Sequence, residues 1–124
     1  MSERSRTTAL RHMLDHAREA VALANGKSRA DLDTERLLNL ALVRLLEIVG
    51  EAAGRVPKEL CALHPAVPWP PIISLRNRLI HGYDSVDFDI LWQIITNDLP
   101  PLIPTLEAII ASEADTTDVM QEEN

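Results

Sequence analysis

Residues 74–89 read SLRNRLIHGYDSVDFD and gather Arg76, Asn77, Arg78, His81 and Tyr83 into eight positions. These residue types suit transesterification of RNA. A histidine near its ordinary pKa can take the 2′-hydroxyl proton at neutral pH. An arginine offers a permanent forked donor to phosphate oxygens as negative charge grows in the transition state. Asparagine can orient the imidazole or a phosphate oxygen. The scheme needs no metal ion, and no carboxylate cluster sits beside the segment.

Position on a helix decides whether such residues meet. The pattern predicts a helix from about Pro71 to Ile80, stopping near Gly82. At about 100° per residue, Asn77 and His81 differ by about 40° and share a face, while Arg76 lies about 140° away and flanks it. Gly82 can turn the chain sharply and aim Tyr83 back towards the same mouth. The same residues also have structural uses. A histidine near a helix C-terminus is favoured by the dipole, and an arginine there can serve an ion pair.

Upstream, Ala9, Leu10, Met13, Leu14, Ala17, Ala20, Val21 and Ala24 recur at three and four and predict a first helix, with Gly26 as its stop. A linker leads to Asp33, the expected N-cap of a second helix over about 34–53 that Gly54 ends. Between Leu37 and Ala53, 12 of 17 residues are apolar. A helix apolar over most of its circumference needs burial on more than one side, and in so small a domain another chain can supply one. A short helix is expected from Pro57, at its first position, to Leu63, followed by a proline-punctuated loop from His64. The last element begins near Asp87, where Pro100, Pro101 and Pro104 should kink or divide it. The reading is all-α, an up-and-down bundle of four to five helices over residues 1–112, with 113–124 as an acidic, frayed tail.

The chain has 124 residues, enough for one domain with a modest core. Its net charge of −7 is unevenly placed: residues 1–78 hold all 12 bases and nine acids, and residues 79–124 hold ten acids and no base. An acidic total argues against nucleic-acid binding, but this polarity leaves room for a local basic surface. The one cysteine, Cys61, cannot form an internal disulfide or a cysteine zinc site. With neither a signal-like start nor a long apolar run, a cytoplasmic protein with no membrane span is expected.

The stretch LEIVGEAAGRVPKEL…HPAVPWPPIISLRNRLIHGYDSVDFDILWQIITNDLPPLI resembles the HepT-like ribonuclease toxins of the HEPN superfamily. That family's motif is Arg, a polar residue, three further positions, His, and Tyr two beyond. Here it reads Arg76, Asn77, Arg78-Leu79-Ile80, His81, Gly82, Tyr83 without departure. The resemblance implies a helical homodimer and a metal-independent, cofactor-free endoribonuclease site built from both copies of the motif. It also implies a cognate minimal nucleotidyltransferase antitoxin, which transfers AMP to the motif tyrosine, here Tyr83. A dimer would let two His81 side chains divide the roles of base and acid.

Arg78, Arg55 and Lys58 are candidates for the phosphate-binding surface, and Glu51, in the GEAA word, for orienting Arg76. Arg78 is as well read as a solvated cation, and Glu51 as an ion-pair member. His12, His16 and Glu19 fall on one stripe with zinc-binding spacing but have no third ligand motif, which favours an exposed polar face. Cys61 and Trp69 read as packing residues. The rival function is a non-catalytic HEPN helical module that binds RNA, nucleotide or a protein partner; a plain structural dimer is a third reading.

Overall fold

In a computed structural model, residues 3–83 and 85–123 are described, with side chains over 6–83 and 85–115. The described chain is mostly helical: α1 (Glu3–Ala24), α2 (Asp31–Thr34), α3 (Arg36–Ala53), α4 (Lys58–Leu63), α5 (Trp69–Ile73), α6 (Leu75–Leu79), α7 (Phe88–Gln93) and α8 (Leu99–Glu123). The exceptions to α-helix are a two-residue hairpin, β1 (Ile80–His81) with β2 (Ser85–Val86), and a π-helical turn over Ile94–Asp98. No helix among the described residues is long and apolar enough to cross a membrane.

Three long helices make the core. α1 folds back on α3 and also packs on α8, burying the predicted stripe of Leu10, Met13, Leu14, Ala17 and Ala20 against Leu42, Leu46 and Leu106. Each such leucine contributes about 1.5–3 kcal/mol from burial alone. Asn39 is buried inside this apolar set, and its Nδ2 donates to the Leu32 carbonyl at 2.8 Å, tying α2 to α3. Trp69 is also buried, its indole N–H donating to the His64 carbonyl at 3.0 Å. Cys61 is half-buried, and that desolvation raises its thiol pKa.

Several local expectations need correction. Asp33 does not cap α3; it lies inside α2, where Arg29 pairs with it at 3.1 Å. The chain turns instead at Glu35, and no side chain caps α3. Pro57 is the N-cap of α4 rather than its first helical residue. The expected single helix from Pro71 to Ile80 is two, broken at Ser74, and α6 ends at Leu79. Ile80 is extended (φ −107°, ψ 119°), which suits a β-branched side chain. Eight α-helical segments are present among the described residues, rather than four or five, because the connections carry short helices of their own.

The prolines do divide the final element. Pro100 and Pro101 bring no N–H to the carbonyls a turn earlier. The bonding widens there, and the Leu99 N–H reaches back five residues to Ile94. Pro104 is accommodated inside α8. That helix runs on past residue 112: Glu113 is buried and ion-paired with Arg6. The side chains of 116–124, most of the acidic segment, lie outside the described residues.

Gly50 sets the closeness of α3 to α5. A Cβ there would lie 2.9 Å from the Ile72 carbonyl oxygen, a backbone atom that cannot rotate away. Overpacking of this kind costs about 1–3 kcal/mol, against about 1 kcal/mol gained in helix propensity. Gly50→Ala is therefore expected to destabilise the chain by up to about 2 kcal/mol, read as a lower urea midpoint. A midpoint that stays put or rises would contradict this tight crossing.

Candidate active site

The close crossing at Gly50 lays α5 and α6 along α3, and the chain break at Ser74 sets the direction of α6. Arg76 and Asn77 then project into a groove of about 300 Å³ shared with Glu47, Glu51 and Ile73. The Arg76 Nε lies 3.9 Å from Glu47 Oε2. Glu47 is also 3.9 Å from Arg44, which stands 3.6 Å from Glu51. These are charge contacts, too long for hydrogen bonds. With the Arg76 side chain 71% exposed, its pairing to Glu47 is worth at most about 1 kcal/mol. The guanidinium is held near the groove but remains free to take an anion.

Glu47 was missed in the sequence because it lies outside the GEAA word. The signal was available in spacing: Arg44, Glu47 and Glu51 follow at three and four along α3. Glu51 lines the same groove one turn further on, with Arg44 as its ion-pair partner.

His81 does not sit on a helix. It lies on β1, opposite Ser85, while Ile80 pairs with Val86. The expected shared helical face with Asn77 is therefore replaced by a hairpin that follows α6 directly. The Leu79 carbonyl, left open by the end of α6, accepts from the Asp87 N–H at 2.9 Å. Asp87 in turn caps α7, its carboxylate accepting from the Ile90 N–H at 3.0 Å. Arg29 reinforces this junction: it bonds Asp89 at 2.7 Å and lies over the Phe88 ring at 5.8 Å. The hairpin is thus fixed at both ends.

Gly82 has φ +77°, a left-handed conformation that other residues adopt at a cost. Tyr83 follows it and is 97% exposed. Asn77 and His81 are exposed too. None of these three side chains has a hydrogen-bond or ion-pair partner among the described residues.

Arg78 parts from the others. It is half-buried, its Nη1 donates to the Pro71 carbonyl at 3.3 Å, and it lines a separate groove on the other side of α6. Arg55 and Lys58 are exposed, just past the end of α3 and at the start of α4. On α1, His16 Nδ1 lies 2.7 Å from the His12 carbonyl and the two rings meet edge to face. Among the described residues no three His, Cys, Asp or Glu side chains gather as a metal site.

Comparison with known proteins agrees with the family resemblance. The sequence model of the HepT-like ribonucleases matches residues 13–109. A candidate RNase of Caldanaerobacter subterraneus subsp. tengcongensis is 36% identical over 104 residues, covering 84% of this chain and 93% of the relative. A protein of Thermococcus cleftensis named as a ribonuclease HepT is 34% identical over 93 residues, covering 72% and 84%. A candidate RNase of Methanocaldococcus jannaschii is 29% identical over 109 residues, covering 88% and 100%. No solved structure matches. With most of its length inside the family's span, the chain belongs to the HepT-like ribonuclease family.

Proposed function

We propose that this protein is the toxin of a type VII-like toxin–antitoxin pair, an endoribonuclease that cleaves RNA by His-assisted attack of the 2′-hydroxyl. In this reading His81 transfers the proton, Arg76 stabilises charge on the phosphate, and Asn77 orients one of them. The observation that carries it is that Asn77, His81 and Tyr83 have no side-chain partner among the described residues where α6 meets the hairpin, next to an Arg76 held only by a long, exposed ion pair. A helical binding module has no need of Arg76, His81 and Tyr83 together.

The reading includes a homodimer. One chain offers one motif histidine, while cleavage needs a base and an acid. α3 leaves Leu37 and Leu40 exposed, at 84% and 48%, on the helix that also carries Glu47. Leu37 and Leu40 lie in the first turns of that helix, about two to three turns before Glu47, and give an exposed apolar surface on which a second copy can close. The reading also includes a cytoplasmic setting and a nucleotidyltransferase antitoxin acting at Tyr83.

Pure protein incubated with total RNA tests the activity. Cleavage is expected with EDTA as without it, leaving 2′,3′-cyclic phosphate ends or their hydrolysis product. Intact RNA under both conditions would favour the non-catalytic module.

A further inference from the structure

The separate groove that takes Arg78 has a volume of about 500 Å³, within the range of small-ligand sites. Ile72, Leu75, Ile94 and Leu102 give it apolar walls. Arg78, Asn97 and Asp98 bring polar groups to it. Asn97 and Asp98 belong to the π-helical turn, where the wider winding rotates side chains away from their α-helical directions.

The charges in this groove are unsatisfied by one another. Arg78 spends one N–H on the Pro71 carbonyl and keeps four. Asp98 and Asn97 have no side-chain partner among the described residues, and no ion pair joins Asp98 to Arg78. A ligand bridging them needs an acceptor edge for the guanidinium and a donor edge for the carboxylate. Against the apolar walls it needs a flat body.

We infer that this groove is a guanine-selective subsite for the RNA strand. Guanine carries acceptors, O6 and N7, on one edge and paired donors, N1–H and N2–H, on the adjoining edge. Arg78 or the Asn97 amide meets the first, and the Asp98 carboxylate accepts from the second. Adenine presents no donor pair to a carboxylate, and uracil presents one N–H between two carbonyls. Cytosine offers one amino group and fills less of the groove. Arg78 and Arg76 lie on opposite sides of α6, whose width of about 10 Å is close to the span from a base to a neighbouring phosphate. A strand can thus put a phosphate at Arg76 and a nearby base beside Arg78.

This inference rests on the RNA-cleaving reading, and two measurements separate their failures. Titration calorimetry of the full chain with GMP, AMP, CMP and UMP reads the subsite without any cleavage, because the four differ only in the base. GMP is expected to bind about tenfold tighter than the others, and Asp98→Asn to remove that advantage. Sequencing the ends cut from a random RNA pool should show guanosine at a fixed offset from the cut, weakened in both Asp98→Asn and Asp98→Ala. Asp98 is exposed, so circular dichroism should show both variants folded. Equal or absent binding of the four nucleotides overturns the subsite, as does a GMP advantage that survives in both variants. Selective GMP binding by a protein that cuts no RNA upholds the subsite and removes the ribonuclease.

Discussion

His81→Ala is expected to lower the RNA-cleavage rate by roughly 10²–10⁴-fold. Loss of folding is not the expected cause. His81 is exposed on β1 and has no side-chain partner among the described residues, so its removal should change stability by no more than about 0.5 kcal/mol. Arg76→Ala should cost about 10²–10³-fold through lost transition-state stabilisation. Its ion pair with Glu47, at 3.9 Å and largely exposed, is too weak for its loss to unfold the chain. Glu47→Gln gives the contrast. It removes the charge that holds the guanidinium near the groove but leaves the guanidinium in place, so its effect should be smaller than that of Arg76→Ala. Initial rates on a defined oligonucleotide in EDTA, with unfolding midpoints for each variant, make the comparison. Unchanged rates in both purified alanine variants would falsify the assignment of these residues. Mixing Arg76→Ala chains with His81→Ala chains adds a test of the dimer. Partial recovery of activity is expected if each site pairs the arginine of one copy with the histidine of the other. No recovery is expected if both come from one copy or if one site needs both histidines, and the solution mass of the parent protein separates those two cases.

The long helices were legible because their apolar residues repeat at three and four. Leu10, Met13, Ala17 and Ala20 are all buried where the pattern put them. The apolar excess of residues 37–53 was legible too, and it reappears as Leu37 and Leu40 exposed on α3. What the periodicity could not show was the break at Ser74 and the end of α6 at Leu79. Neither glycine nor proline marks those points. They follow from tertiary contacts: α5 pressed against Gly50, and the Leu79 carbonyl taken by the Asp87 N–H. The error mattered, because it put His81 on a helical face that does not exist. The motif residues themselves were legible as a pattern of types, which is independent of the local backbone. Asp98 gave no such signal: it lies in the π-helical turn, which the periodicity does not reveal, and lines the groove with Arg78.

Adenylylation of Tyr83 is expected to silence the ribonuclease almost completely. The Tyr83 phenol is 97% exposed and follows a glycine at φ +77°, so a modifying enzyme can reach the hydroxyl without unfolding the hairpin. Packing does not hold the ring, and no hydrogen bond competes for the oxygen among the described residues. An added AMP would place a bulky anion two positions from His81. It would obstruct the histidine sterically and draw Arg76 away from the RNA phosphate, and both effects weaken substrate binding. The experiment is co-expression with a minimal nucleotidyltransferase, taken from beside the gene if one is encoded there, followed by the mass of the intact protein. A gain of about 329 Da for each AMP is expected, and its loss in Tyr83→Phe. Tyr83→Phe alone should keep most of the cleavage activity, because the proposed proton transfer and charge stabilisation use other side chains. Co-expressed with the active partner, the phenylalanine variant should escape inhibition. Should a catalytically dead partner neutralise Tyr83→Phe as fully as it does the parent, inhibition works by binding alone and Tyr83 is not the point of control.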